Sequence, residues 1–185
     1  MNWTQSIEVK YIMNVPLKQG DSFLKKEIYS YVFPKKPKVK TIIELEYYVN
    51  NIIVISFYTD GIGTDKTRYH IRHSYPAIVV LRIYQACLKI FIEKNIAHTY
   101  TLVFNAADDI NDYQEFNKRM SSYVKFLEYY YPNFSEDCDY SGYMALNTFY
   151  FHHKANPFKK QAQAFFEAYC KKVKDQLNNS DDHSK

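Results

Sequence analysis

Glycine is nearly missing from this chain, with 4 in 185 residues beside 6 prolines and 3 cysteines. So few positions that accept positive φ or close backbone approach argue against a glycine-rich phosphate loop. Cys87, Cys138 and Cys170 are odd in number, far apart and never in a C-x-x-C spacing, which argues against a disulfide framework and suits a reducing, cytoplasmic setting. No run approaches the roughly 20 consecutive apolar residues of a spanning helix. The start, Met1-Asn2-Trp3-Thr4-Gln5-Ser6, has no charged region followed by an apolar stretch, so neither an export signal nor a membrane anchor is expected.

Aromatic residues are abundant instead: 19 tyrosines and 13 phenylalanines in a chain that is 46% hydrophobic. This length and composition can bury one continuous core, and a single domain over residues 1–177 is expected. Within it, residues 1–40 form a basic region of strands and linker, 41–177 the core, and the polar residues 178–185 a disordered tail. Charge is unevenly placed. Residues 1–40 carry eight lysines against Glu8, Asp21 and Glu27, a net +5, although the whole chain is only +4.

The first half has strand periodicity. Ile7, Val9 and Tyr11 alternate with Glu8 and Lys10, and Tyr29, Tyr31 and Phe33 with Ser30 and Val32. Pro34-Lys35-Lys36-Pro37-Lys38 then interrupts pairing. Two apolar runs, 42–49 and 52–58, flank Asn50-Asn51, a pair that tolerates positive φ, and predict a hairpin. Its first strand sets Ile43, Leu45 and Tyr47 against Glu44 and Glu46, so one face is expected to be wet; Ile52-Ile53-Val54-Ile55 is apolar on both faces and is expected at the sheet centre. A further strand is expected over Thr67–His73.

The second half changes period. Residues 77–94 are apolar nearly all round and predict a buried helix; a strand is expected at 99–104, a helix from Asp108 to Tyr130, one long strand from Tyr143 to His152, and a final helix opened by Pro157. That final helix presents Phe158, Ala162, Phe165, Phe166 and Tyr169 inward. The order predicts an α+β fold: a mixed, mostly antiparallel sheet of six or seven strands with three helices on its faces.

Several constellations invite a functional reading. Lys35, Lys36, Lys38 and Lys40, following Tyr29 and Tyr31, have the combination that tracks phosphates while rings stack bases; the same lysines also suit a solvated linker. Lys66, Arg68, His70 and Arg72 alternate along one expected strand and place a cationic row on one sheet face, able to meet an acidic partner or to pair with Glu44 and Glu46. His70, His73, Asp60 and Asp65 match no metal-ligand spacing. Asp108, Asp109, Asp112 and Glu115 fall in the first turns of an expected helix, where carboxylates cap and complement the dipole. Cys138 lies among acidic residues that raise a thiol pKa, and no nucleophilic arrangement is visible. The run Tyr129-Tyr130-Tyr131 suits either a contact surface or the rim of the core.

The element order from 42 to 152, three strands, helix, strand, helix, strand, resembles the core of the GNAT acyltransferase fold. That family places a Q/R-x-x-G-x-G/A turn before its first core helix to hold the acetyl-CoA pyrophosphate. Here the stretch is Arg72-His73-Ser74-Tyr75-Pro76-Ala77-Ile78-Val79, without glycine, so the resemblance implies a fold and no cofactor. The layout is also similar to that of small bacterial and phage accessory proteins. The expected function is therefore a non-enzymatic interaction protein. Its expected surface is Tyr29, Tyr31, Lys35, Lys36, Lys38, Lys40, Arg68, His70 and Arg72, and its expected partner another protein with an acidic patch. Nucleic-acid binding through the basic tract and a divergent GNAT-like acyltransferase remain as alternatives.

Overall fold

The computed structural model describes residues 7–33, 40–60, 77–105, 127–129, 131, 133–143 and 148–181. The strand expected at 67–73, the acidic cluster at 108–115 and most of the helix after it lie outside the described residues. The elements are β1 (Val9–Val15), β2 (Lys25–Val32), β3 (Lys40–Tyr48), β4 (Ile52–Thr59), α1 (Ala77–Lys94), β5 (Thr101–Asn105), α2 (Phe134–Asp137), β6 (Cys138–Tyr143), β7 (Thr148–His153) and α3 (Lys159–Asp181). Together they make an α+β fold around a seven-stranded mixed sheet in the order β1-β2-β3-β4-β5-β7-β6. Every neighbouring pair is antiparallel except β4 and β5, which run parallel and are connected through α1.

Ile52–Ile55 occupies the sheet centre, as its two apolar faces predict. Because successive strand residues point to opposite sides, Ile53 and Ile55 join Ile43, Leu45, Leu102 and Phe104 against α1, whose Val79, Ile83, Cys87 and Phe91 are buried there. Ile52 and Val54 join Val103 and Tyr150 on the other side, against Phe166 and Cys170 of α3. In α3, Ala162, Phe166 and Cys170 recur every four residues and are buried, while Lys159, Lys160, Lys171, Lys172 and Lys174 are exposed. Asn156 fixes the approach to this helix: its side-chain oxygen accepts from the Phe158 N–H at 2.8 Å and its amide donates to Thr101 Oγ1 at 3.1 Å.

Three expectations change. The single strand from Tyr143 to His152 is instead the hairpin β6–β7, paired from Cys138↔His153 to Tyr143↔Thr148. β6 is an edge strand exposed along most of its length, so it needs no apolar alternation and its acidic residues resemble a loop. Residues 178–181, expected in a disordered tail, continue α3, since a helix already nucleated propagates through polar residues by its own hydrogen bonds. The Glu44–Glu46 face of β3 is only partly wet: Glu44 is 4% exposed and paired with Lys26, while the Glu46 side chain stays 24% exposed.

The β3–β4 turn is as its sequence predicts. Tyr48 pairs with Ile52, and the intervening Asn50 and Asn51 sit at φ 60° and 57°. Asparagine tolerates this left-handed region; a β-branched residue there costs about 1–2 kcal/mol. Asn50→Val and Asn51→Val are each expected to lower stability by about that amount, read from the urea unfolding midpoint, with the double variant losing close to the sum.

Candidate functional site

Two polar clusters and one cavity gather the chemistry-bearing side chains. In the first cluster, Glu27 of β2 faces the α1 side of the sheet, opposite Leu45, and is 3% exposed. Its carboxylate accepts from Tyr29 Oη at 2.9 Å and Tyr47 Oη at 2.7 Å, and pairs with Lys25 and with Lys94 Nζ at 3.1 Å. Lys94 is the last residue of α1, so this pair also ties the helix end to the sheet. Burial alone would raise the Glu27 pKa. Hydrogen bonds from Lys25, Tyr47, Tyr29 and Lys94 outweigh it and hold the carboxyl down to about 2, from an ordinary 4.5. Burial and the neighbouring carboxylate push the Tyr29 and Tyr47 phenols well above their ordinary range, which keeps both as neutral donors.

The second cluster lies on the opposite face of the same strands. Lys26 Nζ is 2.8 Å from Glu44 and 3.2 Å from Glu46; Tyr48 Oη donates to Glu46 at 2.9 Å and Tyr58 Oη to Glu44 at 3.3 Å. Burial pulls the Lys26 pKa down, but its two carboxylates more than compensate and raise it. Every charge in both clusters has an opposite partner, although the first sums to +1 and the second to −1. A carboxylate held at such low pKa is a poor general base at neutral pH, so Glu27 fastens β2, β3 and α1 together instead of abstracting protons.

The cavity, of about 180 Å³, lies between the C-terminal half of α1 and β7. Its walls are Leu88, Phe91, Ile92, Leu127 and Phe151, and its polar lining is Asn95, His98, Tyr131, Cys138 and His153. The His98 and His153 rings stack at 4.4 Å between centroids, with 28° between planes. His153 Nδ1 accepts from the Ala155 N–H at 3.0 Å, so a neutral His153 ring carries its proton on Nε2. His98 holds φ 54°, a conformation that histidine reaches more readily than β-branched residues do.

All three cysteines are buried and unpaired. Burial, reinforced by Asp137, pushes Cys138 up to about 11, and burial pushes Cys170 up to about 11, so neither is a thiolate at neutral pH. Cys87, fully enclosed, is raised further still. Among the described residues, no three His, Cys, Asp or Glu side chains cluster as a metal site. Nor is any described helix long and apolar enough to cross a membrane.

The surface expected from sequence is redistributed. Tyr29 and Tyr31 are core residues, 8% and 3% exposed, packed with Phe33 under α1 instead of offering rings to a partner. Their strand alternates Tyr29, Tyr31 and Phe33 toward the helix, and this apolar pattern is the signal of burial. Lys40 is exposed and pairs with Asp60 at 2.8 Å. Lys35, Lys36, Lys38, Arg68, His70 and Arg72 lie outside the described residues. Glu44 and Glu46, which could pair with the Arg68 row, both meet Lys26, while that row lies outside the described residues. Of the tyrosine run, Tyr129 is 78% exposed and Tyr131 packs on the core. The Glu27 cluster went unread because its partners come from three elements, although a glutamate two residues from a tyrosine on the same strand face is a legible hint. The His98–His153 stack has no local signal, since 55 residues separate the two.

Glu27 makes a pH-dependent contribution whose sign follows from its depressed pKa. It is fully present above the unfolded value near 4.5 and is lost as the pH falls through about 2. Wild type is expected to lose about 2–3 kcal/mol more than Glu27→Gln between pH 5 and pH 2, measured by urea denaturation. Equal losses in the two proteins would show that folding does not depress the Glu27 pKa.

No protein-family model matches this chain, and neither does any curated protein or any solved structure.

Proposed function

We propose that this chain is an interaction protein that docks an acidic, extended segment of another protein along the β1 edge of its sheet. The observation that carries this reading is an apolar edge strand. β1 is terminal in the sheet order, and among the described residues no strand pairs with its outer side. Its consecutive Tyr11, Ile12 and Met13 are 47%, 41% and 46% exposed, and Leu17 at 55% and Leu24 at 58% lie in the connection from β1 to β2. Monomeric proteins ordinarily blunt such an edge, because its free N–H and C=O groups template another strand. The register slips between Tyr11 and Met13, so a bulge at Ile12 turns one apolar side chain away from the pleat.

Charge selects the partner. Lys10 and Lys18 are exposed and lie within the 1–40 region of net +5. Glu8 and Asp21 are exposed near them, so the preference for an acidic segment rests on the +5 of residues 1–40 taken as a whole. The nucleic-acid alternative retains these lysines but lacks the stacking rings of Tyr29 and Tyr31. The acyltransferase alternative is supported by element order: β2, β3 and β4 antiparallel, then α1, then β5 parallel to β4. Acetyl-CoA would raise the melting temperature if it were correct.

The test is retention of partners on immobilised full-length protein, with Ile12→Glu as control. This substitution sits at an exposed bulge, so its effect on stability is expected within about 0.5 kcal/mol, while it repels an acidic segment. Wild type is expected to retain a partner that Ile12→Glu releases, and the bound partner is expected to slow hydrogen exchange at the amides of residues 9–15. Retention that leaves those amides unprotected would remove the edge as the docking site. Nuclease-sensitive retention that collapses with salt would move the reading to nucleic acid.

A further inference from the structure

The cavity beneath α1 has no place in the edge-docking reading, and its geometry stands independently of it. A chain with so many large rings has ample material to fill its core, yet a space of about 180 Å³ remains between α1 and β7. Close-packed interiors rarely leave voids larger than a water molecule. Apolar cavities of about 150 Å³ stay dry and accept benzene. A second, smaller space of about 30 Å³ shares Leu88, Leu127 and Phe151 with the first and extends it toward Phe104 and Phe149. The lining is therefore apolar at its inner end and polar where His98 and His153 stack.

We propose that this cavity binds a small neutral aromatic compound of one or two rings, of the size of phenol or indole. Its body would lie among Phe91, Phe151 and Leu88 and its polar atom at the His98–His153 end. The walls favour a ring over a chain. Phe91 and Phe151 meet edge to face at 5.4 Å and 78°, and Phe151 meets Phe134 likewise at 5.2 Å and 80°, so a further ring extends an existing herringbone. A rigid planar ligand also surrenders little conformational entropy on binding. At the polar end, the Nε2–H of a neutral His153 is available as a donor to a phenol's hydroxyl oxygen, since Nδ1 already accepts from Ala155. The N–H of indole, which can only donate, requires an acceptor such as the side-chain oxygen of Asn95 in the same lining.

The surroundings disfavour charge of either sign. Asp137 lies close enough to Cys138 and Tyr131 to raise both their pKa values, and the last carbonyls of α1 present the negative end of the helix dipole at Asn95. An anion is repelled by both. A cation would sit against apolar walls without a paired carboxylate among the described lining residues.

The experiment compares the melting temperature of the full chain with millimolar indole, phenol, benzoate and hexanol, alongside methyl NMR spectra of isoleucine- and leucine-labelled protein. Indole or phenol at about a hundred times its Kd is expected to raise the midpoint by roughly 5–10 °C. The same ligand is expected to shift the methyl resonances of Leu88, Ile92 and Leu127 by ring current. Benzoate and hexanol are expected to do markedly less. Ile92→Phe, which fills the space, is expected to melt at or above the wild-type midpoint and to lose the response to indole. If that variant fails to fold, the wild-type methyl map alone decides the question. Absence of any midpoint or methyl shift overturns the proposal, as do shifts confined to other residues or an undiminished response in a folded Ile92→Phe. A benzoate or hexanol response equal to that of indole overturns the assignment of a neutral aromatic ligand.

Discussion

Ile52, Ile53, Val54 and Ile55 give the sheet an apolar centre on both of its sides, and each neighbouring element is placed by contact with one side or the other. Full burial of each such side chain contributes about 1.5–3 kcal/mol, and all four are at most 3% exposed. The alternation divides the helices: α1 meets Ile53 and Ile55, while α3 meets Ile52 and Val54. A strand covered on both faces also suits the parallel pairing with β5, since parallel strands are ordinarily buried on both sides. A charged substitution at Ile53 or Val54 would therefore damage one helix interface and spare the other, and the two halves of the core can be probed separately.

The two carboxylate clusters solve a problem that this sheet creates for itself. β2 and β3 carry Lys26, Glu27 and Glu44 into a region where helices and rings limit access to water, with Lys25 and Glu46 at its margin. An isolated buried carboxylate is costly, and losing one partner of a buried pair costs more than the pair contributes. Glu27 is satisfied by two tyrosines and two lysines on one face, while Glu44 and Glu46 share Lys26 and further tyrosines on the other. Tyrosine suits this place because its ring adds to the core while its hydroxyl reaches a carboxylate. The high tyrosine content is thus partly an accommodation of charge inside a sheet, and only some of it is available for contact with other molecules.

Much of the architecture was legible in the residues themselves. The Asn50-Asn51 turn, the two-faced apolar run of β4, the all-round apolar helix at 77–94 and the four-residue seam of α3 each carry a local period or a local φ preference. The same reasoning misplaced Tyr29 and Tyr31, because alternation identifies a strand face without saying which face is covered. It merged β6 with its surroundings because an exposed edge strand has no apolar signature. It read Glu44 as wet, since only the strand register places Lys26 beside it. The cavity and its histidine stack arise from the pairing of β5 with β7 and from the length of α1, which no local window contains.

That unfilled space has a mechanical consequence. Unfolding eliminates internal voids, so the unfolded chain and its hydration water occupy less volume than the folded protein, and hydrostatic pressure shifts the balance toward them. Among the described residues this void lies beside α1, whereas on the α3 side Tyr150 and Phe166 meet at 4.4 Å. Compression would therefore act unequally on the two halves of the core.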